Sequence, residues 1–223
     1  MKKTIILGVL ALGLSTGLRA QNYIEDRAGR PIKSSANVDI TGDPMLFPDW
    51  VQGTVELAGN KSYKDVYLNM NLIDQEIVFK GKSGEKLAFT EDVTSVVFND
   101  TESARKRLIK KGYPAANGIT PSDFLEVLAD GSLTLLKKNS KIIWQEKVYN
   151  SATTKQTVIP KNVYYLFDKT ANKISVLKPS KSAIVAQLSK HKSEIDAYLK
   201  TNKIDFANDQ DLTKLFIYYN SLS

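Results

Sequence analysis

There is no cysteine in this chain of 223 residues and only one histidine, His191. The first absence removes disulfides, thiolate nucleophiles and any lipidated cysteine that would tether the chain, so packing alone must hold the fold. The second excludes a multi-histidine metal site. His191 also falls on the apolar stripe of an expected helix, which leaves no histidine placed for a Ser-His-Asp arrangement. No G-x-S-x-G, P-loop or dinucleotide-binding fingerprint occurs. Gly81-Lys82-Ser83-Gly84 has the flavour of a phosphate loop but lacks the following helix that such loops need. We therefore expect no catalytic constellation, no metal and no cofactor.

Long apolar runs are equally scarce, and the one present is at the start. Lys2 and Lys3 precede an apolar stretch from Ile5 to Leu14, and Ser15 to Ala20 ends on a small residue. This is the pattern of a signal peptide over residues 1–20, too short and too glycine-rich for a transmembrane anchor. The expected protein is exported, to the periplasm or the cell surface, and does not span the membrane once the leader is removed. Loss of Lys2, Lys3 and Arg19 lowers the basic residues from 31 to 28 against 24 acidic ones, leaving +4. So mild an excess gives no reason to expect a nucleic-acid partner.

What the chain does have is strand pattern. Val66, Leu68, Met70 and Leu72 recur at every second position, which puts them on one face of a pleated strand. Short β-branched or aromatic pieces flank them at 54–57, 77–80, 87–89 and 93–98, separated by the glycine-bearing breaks 58–61 and 81–85. Such spacing is too short for parallel crossovers and predicts antiparallel hairpins. Residues 112–121, rich in Gly, Pro and Asn, read as a long loop or internal boundary. The pattern resumes with 124–129, an Asp130-Gly131 turn of the primed hairpin type, and 133–137. Strands at 142–148, 158–167 and 173–177 follow, giving about ten, with 150–156 as a loop.

After Pro179 the period changes. Ile184, Leu188, His191, Ile195 and Tyr198 form one helical stripe, and Leu212, Leu215, Phe216, Tyr219 and Leu222 form a second. Ser180 or Ser182 caps the first helix and Asn208 the second. The expected class is α+β: an extended lead over 21–41, an antiparallel meander over 42–178 as a sandwich or partly open barrel, and two helices over 179–223 packed on the sheet. A transmembrane barrel does not fit, because the strands are short and carry charges.

Candidate binding residues are few. Trp50, Tyr63, Tyr67 and Trp144 are aromatic residues suited to a glycan or lipid platform, against the plainer reading of buried plugs and sandwich core, which extends to Tyr149, Tyr164 and Tyr165. Arg105, Lys106, Arg107, Lys110 and Lys111 offer phosphates or lipid headgroups a basic cluster, or else form a solvated loop or edge strand. Asp65, Asp74 and Glu76 are the carboxylates that a glycoside hydrolase would need to bring together. Asp205, Asn208, Asp209 and Asp211 suggest calcium, but capping explains them better.

The run Gly42-Asp43-Pro44-Met45-Leu46-Phe47-Pro48-Asp49-Trp50 leading into Gly53-Thr54-Val55 resembles the opening of uncharacterised exported proteins of Gram-negative bacteria of the Bacteroidota type. The resemblance continues through Phe124 to Leu128, Leu135 to Lys138, Tyr164-Tyr165 and the closing Leu212 to Leu222 helix. It implies a secreted, β-rich protein and supplies no functional residues. The expectation is a non-enzymatic binding or structural module of the cell envelope, its partner an envelope protein, a glycan or a lipid. The alternatives are a carboxylate-dependent enzyme acting on glycan or lipid, and a lipid carrier.

Overall fold

The computed structural model describes residues 40–100, 105–147 and 154–222. The expected leader (1–20), residues 21–39 of the lead, and Tyr149 lie outside the described residues. In chain order the strands are β1 (Ile40–Thr41), β2 (Val51–Leu57), β3 (Lys61–Asn71), β4 (Glu76–Lys80), β5 (Lys86–Ala88), β6 (Val93–Asp100), β7 (Arg105–Lys110), β8 (Leu125–Ala129), β9 (Leu133–Lys138), β10 (Lys141–Lys147), β11 (Thr154–Pro160), β12 (Val163–Asp168) and β13 (Lys173–Leu177). Helices α1 (Lys181–Gln187), α2 (Lys192–Thr201) and α3 (Asp209–Ser221) close the chain, with a 3-10 turn at Ser189–His191. The class is α+β, mostly antiparallel, as the strand periodicity requires. Thirteen strands among the described residues replace the expected ten.

Ten strands form one open sheet in the order β13-β12-β9-β8-β7-β6-β2-β3-β4-β5. The turn 58–60 makes its tight hairpin with Gly59 and Asn60 both at positive φ. Midway along the β2–β3 pair the register slips by one residue at a bulge where Asp65 takes φ +57°. Opposite it, a Cβ on Gly53 would lie 2.4 Å from the Val97 carbonyl oxygen, so only glycine lets β2 and β6 approach there.

The link from β5 to β6 fixes the shape of the first half. In the sheet these strands are four places apart, about 19 Å if the sheet were flat. The five steps from Ala88 to Val93 reach at most about 18 Å when fully extended. The strands β6-β2-β3-β4-β5 must therefore curl. Their concave face encloses Val55, Leu68, Met70, Ile77, Val96 and Phe98, with Phe47 inserted against Phe98 at 5.0 Å between ring centroids. Asn69 holds that insertion: its side-chain amide accepts from Phe47 N and donates to the carbonyls of Phe47 and Asp49.

The second half is covered from outside. The helices place Ile184, Leu188, Ile195, Leu212, Leu215 and Phe216 against Leu128, Leu135, Leu166 and Leu177 on one face. Residues 111–124 fold over the other face, packing Tyr113 and Ile119 onto Leu125, Leu136, Tyr165 and Ile174. The expected loop or boundary is thus a cover, pinned by Lys138 donating to Asp123. Tyr164 and Tyr165 are both core residues.

Four local expectations need correction. The basic stretch is neither loop nor edge: β7 is interior, hydrogen-bonded between β6 and β8. The Asp130-Gly131 hairpin forms, but neither residue has positive φ, so its turn is not a primed one. The three residues 130–132 join β8 to β9 with a bulge beside them, and Asn220 of α3 docks there, accepting from Leu133 N and donating to Leu133 O. A Cβ on Gly131 would sit 2.2 Å from Asn220 Cγ, so this glycine provides room rather than a turn angle. The first helical stripe is broken by the 3-10 turn into α1 and α2. Finally, part of the expected 150–156 loop is strand, and the 158–167 segment divides into β11 and β12. With β10 and β1 the former makes a separate three-stranded sheet, where Ile40 and Thr41 at the end of the lead pair in parallel with Gln156 and Thr157.

Candidate functional site

The curl leaves a mouth at the β5 edge. Leu57 of β2, Tyr63 and Val66 of β3, Phe79 of β4, and Ala88, Phe89, Thr90 and Glu91 around the β5–β6 link line a groove of about 370 Å³. Its walls are apolar because Leu57, Tyr63, Val66 and Phe79 continue the inward-facing rows of their strands past the point where the core is filled, and Phe89 of the link closes over them. Phe79 and Phe89 stack at a tilt, 4.7 Å apart, to form one wall. At the rim Lys61 donates to Glu91 at 2.6 Å, with both side chains solvent-exposed. The Lys61 ammonium is held above its ordinary value, first by that hydrogen bond and then by the Glu91 charge. An exposed pair of this kind contributes little to stability and exchanges readily.

A second constellation lies buried on the same face, where the curled half meets the helix-covered half. Glu126 of β8, 1% exposed, accepts from Arg107 Nε at 2.8 Å and Nη2 at 2.7 Å, from Arg105 Nη2 at 3.2 Å and from Asn139 Nδ2 at 2.6 Å. One strand further on, Lys137 and Tyr164 donate to the two carboxylate oxygens of Asp209 at 2.6 and 2.7 Å, tying the sheet to the first residue of α3. Burial pulls the Arg107 guanidinium down, and the bidentate bond to Glu126 outweighs it, leaving Arg107 above its ordinary value. Burial and then the bond to Asp209 push the Tyr164 phenol well above its usual range. Every carboxylate oxygen here has a donor. The buried Arg105 Nε has no partner among the described residues, so the cluster is an ion network with every carboxylate oxygen used and one donor left over, a clamp between two layers.

The four aromatic residues singled out from the sequence do not converge. Tyr63, 50% exposed, lines the groove. Tyr67, 49% exposed, stands on the opposite face of β3 with Lys80 over its ring at 5.9 Å. Trp50 is half-buried beside the Phe47 insertion. Trp144, 57% exposed, is on β10 with Ile142 and Ile143, away from the ten-stranded sheet. Nor does Asp65 meet Glu76. Glu76 pairs with Asn71, six residues along β3 from Asp65, a separation of about 20 Å. That is beyond the roughly 5–9.5 Å of a glycosidase pair. Asp74 accepts from Asn71 within its turn.

Around Asn208 capping prevails: its side chain accepts from Gln210 N and Asp211 N, and Asp211 accepts from Asp205 N. Among the described residues no group of three or more His, Asp or Glu is placed to hold a metal ion. His191 packs edge-on against Tyr219 at 5.5 Å. The basic cluster divides by strand alternation, Arg105 and Arg107 inward to Glu126 and Lys106 outward. What sequence reading missed is the groove and the ion network. The one available signal was Arg105 and Arg107 two positions apart, which places two guanidinium groups on one face of a strand and calls for a buried acid.

No known protein family, curated protein or solved structure matches the chain.

Proposed function

We propose that this chain is a non-enzymatic binding module of the cell envelope, exported by its leader, and that the groove at the mouth of the curl takes one end of an acyl chain carrying an anionic head. The groove carries this reading. Its volume falls within the range of small-molecule sites, and its lining is apolar with a polar rim. Lys61, held only by an exposed pair, is the cation that an anionic headgroup would meet. Side chains fill the interior behind the groove, so it offers a place to dock rather than a compartment that encloses a whole lipid. This favours a binding module over a carrier.

Titration of the purified protein with lauric acid, read by native mass spectrometry, tests the reading. One saturable equivalent is expected. Val66→Trp, which fills the groove, is expected to weaken binding by about tenfold, the equivalent of roughly two methylenes kept from burial. A folded protein that binds no saturated fatty acid, or a Val66→Trp variant that binds as well as the parent, would contradict it. Mass measurement of the protein recovered from envelope fractions tests export: a chain beginning near Gln21 is expected.

A further inference from the structure

A second concavity lies at the other end of the sheet, where the β12–β13 hairpin meets the helical layer. It holds about 500 Å³ and is lined by Asp168, Lys173, Ser175, Gln187, Lys190 and Tyr219 over a floor that includes Leu166. Its polar groups are poorly used by the fold itself. Tyr219 is only 6% exposed, its ring fixed against His191, yet its hydroxyl has no hydrogen-bond partner among the described residues. The ring is buried while the hydroxyl opens onto the cleft, where it can donate to a ligand oxygen. Burial, and then the Asp168 charge, hold that phenol above its ordinary value, so it stays protonated and able to donate.

The charges around it point the same way. Lys173 and Lys190 make no ion pair among the described residues. One oxygen of the carboxylate lining the cleft is engaged by the backbone, Asp168 Oδ1 accepting from Thr170 N at 2.9 Å and Ala171 N at 3.0 Å, while its charge still reaches Tyr219. Two ammonium groups, a phenol, a hydroxyl and an amide thus face one space with an apolar floor. Donors of this number suit an oxygen-rich anion, and the floor suits the C–H face of a sugar ring.

We propose that this cleft binds a small anionic polyol, a phosphorylated or carboxylated sugar, with Lys173 and Lys190 facing its charge and the Tyr219 hydroxyl donating to one of its oxygens. The site is separate from the acyl groove and does not depend on it.

Calorimetric titration of the purified protein with glucose 6-phosphate, glucuronate, glucose and inorganic phosphate tests the assignment. Saturable binding of both sugar anions is expected, with glucose and inorganic phosphate each at least about tenfold weaker, the loss of one charged or one polar set of contacts. Tyr219→Phe keeps the ring and its contact with His191. It is expected to weaken glucose 6-phosphate about tenfold with Tm unchanged, as is Lys190→Gln. Val66→Trp, at the groove, leaves this binding intact. The assignment is overturned if neither sugar anion binds the folded protein, if glucose or inorganic phosphate binds as tightly as glucose 6-phosphate, or if Tyr219→Phe and Lys190→Gln bind like the parent.

Discussion

Strands β2 to β6 cover their own concave face by curling, whereas β8, β9, β12 and β13 stay open enough to need cover on both sides, the helices on one and residues 111–124 on the other. Each way of closing a core leaves its own kind of opening. A curled sheet runs out of side chains at its mouth, and the inward row ends in an apolar groove. A helix layer laid on a sheet meets it along a seam of turns and helix ends, and the cleft there is polar. Between the two, Glu126 of β8 takes its arginines from β7, and beside it Asp209 ties α3 to β9 and β12.

The sharpest way to break this comparison is to remove the anion at the junction. Glu126→Leu leaves Arg107 buried without a partner and is expected to cost about 3–5 kcal/mol in denaturant unfolding. A loss below about 1 kcal/mol would mean that the halves do not rely on the clamp. Comparable in size is Phe216→Ala, which opens a cavity in the helical cover, with an expected loss of about 3–5 kcal/mol. Its hydrogen exchange should quicken first in β8 and β9, the strands beneath α3, and last in β2 and β3. Quickening that is uniform across the sheet would erase the distinction between the halves. Gly131→Ala forces Asn220 out of the β8–β9 loop and is expected to cost about 1–3 kcal/mol.

The smallest effect is set by pH. The folded-state phenols of Tyr164 and Tyr113 are raised, burial being the first cause in each. A raised phenol contributes stability that is complete below its unfolded value of about 10 and is lost as pH climbs through the folded value. The protein should therefore lose stability progressively above pH 10. Tyr164→Phe, compared with its own value at pH 8, should lose less.

Much of the fold was legible because its cause is local. The period of two at Val66 to Leu72, the Gly59 turn, the Asn208 cap and the Leu212 to Leu222 stripe each act over a few residues, and each appears where its pattern places it, whereas the stripe from Ile184 to Tyr198 is interrupted by the 3-10 turn. What was not legible depends on distant partners. Gly131 looked like a primed-turn residue until Asn220, 89 positions later, was found in its place of contact. The basic run at β7 looked like a solvated edge because Glu126, the acid that buries its arginines, lies 19 and 21 residues away. The curl followed from no residue type at all but from the length of one link. Of the four aromatic residues proposed for binding, Tyr63 lines the groove, for alternation fixes a face but not which face closes over.

Amide and methyl NMR spectra recorded during a lauric acid titration test the central claim most directly. The account predicts saturable shifts concentrated at Leu57, Val66, Ala88 and Phe89, with the β12–β13 hairpin and α1 unmoved. No shifts at saturating ligand, or shifts centred on the helical layer, would contradict it.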